Sequence, residues 1–214
     1  MLSLLFYIIS TFSLDSQSLI TLDFTMQVPK LFAERMKAML GADYAAFEQA
    51  LQSPPPVSVR VNNKLEDYKP SEDKVAWCDS GYYLDERPLF TADPFLHAGV
   101  YYVQEASSMF LKHVVKSFLA DAVCVLDLCA APGGKSTLFL ESLPDNTLLV
   151  SNEIIRSRAQ ILAENITKWG NPNVVVTNNA PKDFQQLPQF FDAVLVDAPC
   201  SGEGMFRKDA GAIQ

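Results

Sequence analysis

The chain has 214 residues, a formal net charge of −8 and a pI of about 4.7; 49% of its residues are hydrophobic and 20% charged. That balance excludes a disordered or collagen-like chain and fits a soluble globular protein with one large domain or two small ones. Four cysteines, Cys78, Cys124, Cys129 and Cys200, stand far apart with no C-x-x-C, which argues against a zinc site or a disulfide framework and for a reducing cytoplasm.

Met1 to Leu14 carries no charge, and the first basic residue is Lys30. A signal peptide needs a positive n-region and a small-residue cleavage site, and the apolar run is too short to span a bilayer, so no membrane role is expected. Residues 1–25 read as an N-terminal extension or start-site artefact, with Met26 as the start. From there Leu31, Phe32, Met36, Met39 and Leu40 form one helical face, stopped by Gly41. Asp43 is placed to cap a second helix running to Leu51. Ser53-Pro-Pro-Pro then breaks the chain before the alternating strand Val57–Val61, and Trp77 to Leu84 reads as another strand around Gly81. Residues 26–95 are expected to form a small α+β domain. Residues 41–95 hold ten acids against five bases, so this face is expected to be solvated rather than bound to nucleic acid.

A helix is expected over Gln104 to Leu119, with Gln104-Glu-Ala-Ser-Ser as its polar first turn and Lys112, His113 and Lys116 as a solvated basic face. Then strand and helix alternate: Val123–Leu128, a helix from Lys135, Thr147–Asn152, Ser157–Trp169, Val174–Thr177 and Phe191–Val196. In the helix Ser157–Trp169, the apolar side is expected to hold Ile161, Leu162, Ile166 and Trp169. Such alternation implies a parallel, doubly wound sheet with ligands at the carboxyl ends of its strands. Asp127, Glu153, the Asn178 region and Asp197 fall at such ends and should line one crevice.

Val123 to Thr137, VCVLDLCAAPGGKST, is a buried strand feeding a glycine turn and a helix. Three readings compete. Cys129 to Ser136 fits G-x-x-x-x-G-K-[ST] except at its first glycine, so a P-loop is one. A Rossmann-like adenosine site is the second: Glu153 lies twenty residues after Gly133, at the end of the next strand, where an acid holds ribose hydroxyls. A structural turn without ligand is the third. Only the adenosine site accounts for Glu153. Near the C-terminus, Asp197-Ala-Pro-Cys200 ends another apolar strand. Its aspartate alone would suit a Walker B acid, and a lone cysteine there is commonly structural. Beside a cofactor crevice it suggests covalent chemistry.

Together DLCAAPGGKST, Glu153 and DAPCSGEGMFRKD resemble the Sun-type RNA cytosine-5 methyltransferases, above all the bacterial ribosomal RNA enzymes of that family. PPPVSVRVN and HAGVYYVQEASSM extend the resemblance from about Met26 to the C-terminus. The resemblance implies a Rossmann-like α/β methyltransferase sheet over residues 96–214, S-adenosyl-L-methionine as cofactor, and methyl transfer to cytosine carbon 5 in RNA. In this chemistry a thiolate adds at carbon 6, making carbon 5 nucleophilic; after methyl transfer a base removes the carbon-5 proton and the thiolate leaves. By resemblance Cys129, Ala130, Ala131, Pro132, Gly133, Gly134 and Lys135 wrap the cofactor, and Glu153 binds the ribose hydroxyls. Asp197 lies between cofactor and cytosine, Lys135 orders that acid, and Cys200 assists product release. Two departures stand out. The family's attacking cysteine sits in a downstream Thr-Cys pair, and none of the four cysteines here follows a threonine. The chain is thus expected to be a fragment, with the C-terminal strands of the sheet lacking and the Asp197 strand at an open edge. Where the family usually has an adenine-contacting aspartate, this chain has Ala180. A non-catalytic cofactor-binding or assembly module and a P-loop NTPase are the alternative readings.

Overall fold

The computed structural model describes residues 28–64, 68–199 and 203–206. The expectations for residues 1–25 and for Cys200 lie outside the described residues. The chain divides into two compact units, 1–53 with 205–214, and 54–204.

In the first unit, α1 (Lys30–Leu40) ends at Gly41, whose φ of 54° suits glycine, and α2 (Tyr44–Gln52) follows. Phe32 meets Phe47 at 6.2 Å and the Phe206 ring edge-on at 5.3 Å. Two details differ from the periodicity. Leu31 and Met39 are exposed, and Asp43, itself helical in backbone, makes no side-chain cap.

The second unit contains two sheets. The first is antiparallel, in the order β2–β1–β3, from β1 (Val57–Val61), β2 (Gly81–Leu84) and β3 (Tyr101–Val103). Trp77–Ser80 is a turn rather than strand, because Gly81 N–H bonds back to Cys78 and starts the pairing. A short helix α3 (Pro94–His97) precedes β3. The helix expected over Gln104–Leu119 is two: α4 (Ala106–Met109) and α5 (Leu111–Phe118), broken at Phe110.

The second sheet is parallel, built from β4 (Cys124–Asp127), β5 (Leu148–Asn152), β6 (Val174–Thr177) and β7 (Ala193–Leu195) in the order β6–β5–β4–β7. Helices α6 (Gly134–Ser142) and α7 (Arg156–Trp169) connect β4 to β5 and β5 to β6. This is the doubly wound alternation that the sequence implied. Leu162, Ile166 and Trp169 bury one side of α7, whereas Ile161 turns outward and is half exposed. Val125, Phe139, Leu149 and Val115 fill the core beneath the sheet. β7 pairs only with β4 among the described residues, and Val194 and Val196 are 51% and 57% exposed, so it is the open edge expected of the Asp197 strand.

Lys112 is not on a solvated basic face. It is 3% exposed, paired with Glu141 and Asp79, and Lys116 reaches the same Asp79 at 3.3 Å. A buried ammonium persists only when paired, and here two carboxylates reach it. Among the described residues no helix is long and apolar enough to cross a membrane, and no cluster of residues could hold a metal ion.

Candidate functional site

Three carboxylates and one ammonium meet at the carboxyl ends of the parallel strands. β4 ends in Asp127, β5 leads into Glu153, and β7 leads to Asp197. The loop after β4 passes between them. Its Ala131–Pro132 bond is cis, and Gly133, with a φ of 113°, is left-handed before α6 begins. A side chain is strained in that backbone, and a Cβ there would stand 3.2 Å from Leu162 Cδ1. Gly133→Ala is therefore expected to lower stability by about 1–2 kcal/mol, read from the midpoint of a urea titration. An unchanged midpoint would show that this turn relaxes freely.

Three carbonyls of this turn are tied down by side chains. Arg158 Nη2 donates to Ala131 O at 2.8 Å, Asn165 Nδ2 to Pro132 O at 2.8 Å, and Gln104 Nε2 to Gly134 O at 3.2 Å. Ala130 N–H donates to Asn152 O at 2.8 Å, stitching the loop to β5. The sequence pointed to the loop but not to these supports. Arg158 and Asn165 stand seven residues apart, two turns along α7. That spacing on one helix face was the available signal.

Asp127 is fully buried. Its Oδ2 accepts from Ser136 Oγ at 2.7 Å, which in turn accepts from Ser151 Oγ at 3.0 Å, while its Oδ1 has no partner. Burial pushes this carboxyl up to about 6, against the hydrogen bond from Ser136 and the nearby Lys135 ammonium; Asp197 adds to the rise. Glu153 is also buried. Its Oε1 accepts from Ile155 N–H at 2.9 Å, and its Oε2 lies 3.5 Å from Arg158 Nη1. Lys135 forms an ion pair with Asp197, which is half exposed at the crevice mouth. Cys129, partly exposed between these acids, has its thiol pushed up by burial and by Glu153, Asp127 and Asp197, which hold it protonated.

The structure thus brings together Cys129 through Lys135, Asp127, Glu153 and Asp197, the strand-end acids expected to line one crevice. Ala180 lies after β6, where its N–H donates to Asp183 Oδ2 at 3.1 Å. Asn179 N–H is taken by Asn152 Oδ1, and Asn178 Nδ2 donates to Glu153 O, so the β5 and β6 ends are locked together.

Comparison with known proteins identifies the family. Residues 28–106 match the family model for the N-terminal domain of 16S rRNA methyltransferase RsmF, and residues 118–213 match that for 16S rRNA methyltransferase RsmB/F. The ribosomal RNA small subunit methyltransferase F of Vibrio atlanticus is 36% identical over 204 residues, covering 87% of this chain and 43% of that protein. Its counterpart in Vibrio parahaemolyticus is 38% identical over 205 residues, covering 87% and 42%. A methyltransferase homolog from Pyrococcus horikoshii has the same Rossmann-like fold, with a TM-score of 0.70 and 26% identity over 87% of this chain and 64% of that one. The chain spans about two-fifths of the length of the curated relatives it matches. With two successive family models accounting for most of its described length, the chain belongs to the Sun-type ribosomal RNA cytosine-5 methyltransferase family.

Proposed function

We propose that this chain supplies the cofactor-holding part of an enzyme that methylates carbon 5 of cytosine in RNA, with ribosomal RNA as the substrate. The observation that carries it is the crevice where Asp127, Glu153 and Asp197 converge on the Cys129–Lys135 loop.

The residues fit S-adenosyl-L-methionine. A buried carboxylate oxygen without a partner, Asp127 Oδ1, can accept from a donor such as the cofactor's amino group. Three carboxylates suit a cationic ligand and repel a triphosphate. The hydroxyls that a P-loop would turn to a metal are engaged inside: Ser136 donates to Asp127, and Thr137 donates to Gly134 O. The bound cofactor supplies a methyl group on a cationic sulfur. In this reading Glu153, already oriented by Ile155 N–H and Arg158, accepts from the two ribose hydroxyls. Cys129 to Lys135 close over the methionine part. Lys135 holds Asp197 at the open mouth, where the acid meets the cytosine ring. Cys200 keeps the product-release role that its Asp-Ala-Pro-Cys setting implies. The attacking thiolate comes from a Thr-Cys pair, which the 214 residues do not contain.

Calorimetry tests this directly. The 214-residue chain should bind S-adenosylhomocysteine without metal, ignore ATP with magnesium, and transfer no methyl group to RNA. Binding of ATP with magnesium, and none of the nucleoside, would overturn the reading. Methylation of RNA by this chain, abolished by Cys200→Ala, would reverse the roles given to the cysteines.

A further inference from the structure

Arg60 lies in the middle of β1, on the antiparallel sheet, and is completely buried. Its five N–H donors all find acceptors in the same unit. Nε donates to Gln104 Oε1 at 2.8 Å, and Nη1 to Glu141 and to Thr137 O at 3.5 Å. Nη2 donates to Thr137 Oγ1 at 2.6 Å and to Gly134 O at 3.3 Å. The Trp169 ring, at the end of α7, covers the guanidinium at 4.4 Å. Gly134, Thr137 and Glu141 lie three and four residues apart, so one planar fork grips one face of α6 from its first residue onward. Gln104, oriented by Nε, adds its own amide to Gly134 O at 3.2 Å.

We propose that Arg60 is a positioning residue for the cofactor loop: its fork sets the Gly133–Thr137 turn in the geometry that receives the ligand. This rests on the cofactor reading above. The partners argue against a role in stability alone. Glu141 has a second cation in Lys112, so the carboxylate does not depend on Arg60 for neutralisation. Gly134 O and Thr137 Oγ1, by contrast, lie at the turn itself, and Lys112 makes no hydrogen bond to either.

That difference supplies a matched pair of variants. Arg60→Met and Lys112→Met each leave Glu141 with one cation, but only the first releases the turn. Arg60→Lys keeps the charge and loses the fork. In the ligand-free chain, amide exchange over residues 129–138 should speed up about tenfold in Arg60→Met and in Arg60→Lys, as expected for one lost charged hydrogen bond, and stay near wild type in Lys112→Met. Affinity for S-adenosylhomocysteine should fall about tenfold in the two Arg60 variants and change less than about twofold in Lys112→Met. Should Arg60→Met not fold, Arg60→Lys, which retains the ion pair, carries the comparison. Equal exchange in all three variants, or restoration of both readouts by lysine, would overturn the proposal. Wild-type protein that fails to bind S-adenosylhomocysteine, while exchange still depends on Arg60, would instead refute the cofactor reading and leave the clamp standing.

Discussion

Glu153→Ala should reduce S-adenosylhomocysteine affinity by about a hundredfold or more, because two ribose hydroxyls lose one charged acceptor. Each hydrogen bond to a charged group contributes about 1.5–3 kcal/mol, and two of them exceed the range of a conventional calorimetric titration. The structure sharpens the experiment. Glu153 Oε1 also accepts from Ile155 N–H, so alanine frees a backbone donor at the start of α7. Glu153→Gln keeps an oxygen for that donor, removes the charge and turns the second acceptor into an NH2 donor. It should fold as wild type and bind about tenfold more weakly. Arg158→Ala removes the neighbouring cation and a support of Ala131 O, and should cost less than either. Full affinity in Glu153→Ala would place the ribose elsewhere.

The second large effect is one of pH. Asp127 is raised by burial to about 6 from an ordinary 3.8, so the folded protein holds a proton there that the unfolded chain releases. Its contribution to stability is complete below 3.8 and is lost as pH rises through about 6. Cofactor binding runs the other way, since a cationic ligand takes the ionised carboxylate. Affinity should climb between about pH 5 and pH 7, and Asp127→Asn should flatten that climb. At neutral pH the variant should bind about ten- to a hundredfold more weakly. Thermal melting of the wild type across the same range gives the opposite slope, which Asp127→Asn should lack. A wild-type affinity that is level from pH 5 to 7 would mean that Asp127 stays clear of the ligand.

Much of this site was legible because strand ends are legible. Asp127, Glu153 and Asp197 each follow an apolar run, and a parallel sheet brings such ends together whatever the sequence between them. What the sequence concealed was the second tier. Arg60 looks like an outward polar position in the alternation Val-Ser-Val-Arg-Val, yet β1 is the central strand of its sheet and both its faces are covered. Lys112 looks like part of a basic face because its carboxylates, Asp79 and Glu141, are about thirty residues away on either side. Ion pairs between distant segments leave no local spacing to read. The single helix expected over Gln104–Leu119 failed for a related reason: Phe110 ends one turn and begins the next, a break that polar and apolar periodicity does not mark.

β7 has only three residues, and its hydrogen bonds run to one neighbour. Local opening therefore starts there sooner than at β4 or β5, which are paired on both sides. Asp197 follows that strand by two residues, and its one described tie to the rest of the crevice is Lys135. Asp197 is thus hung on a strand paired on one side, while Asp127 and Glu153 sit at the ends of strands paired on both. A polypeptide laid against the outer edge of β7 would slow its opening and, in the same step, narrow the positions Asp197 can take. On the reading proposed above, cofactor affinity would then change little and substrate alignment a great deal, through the rigidity of one strand.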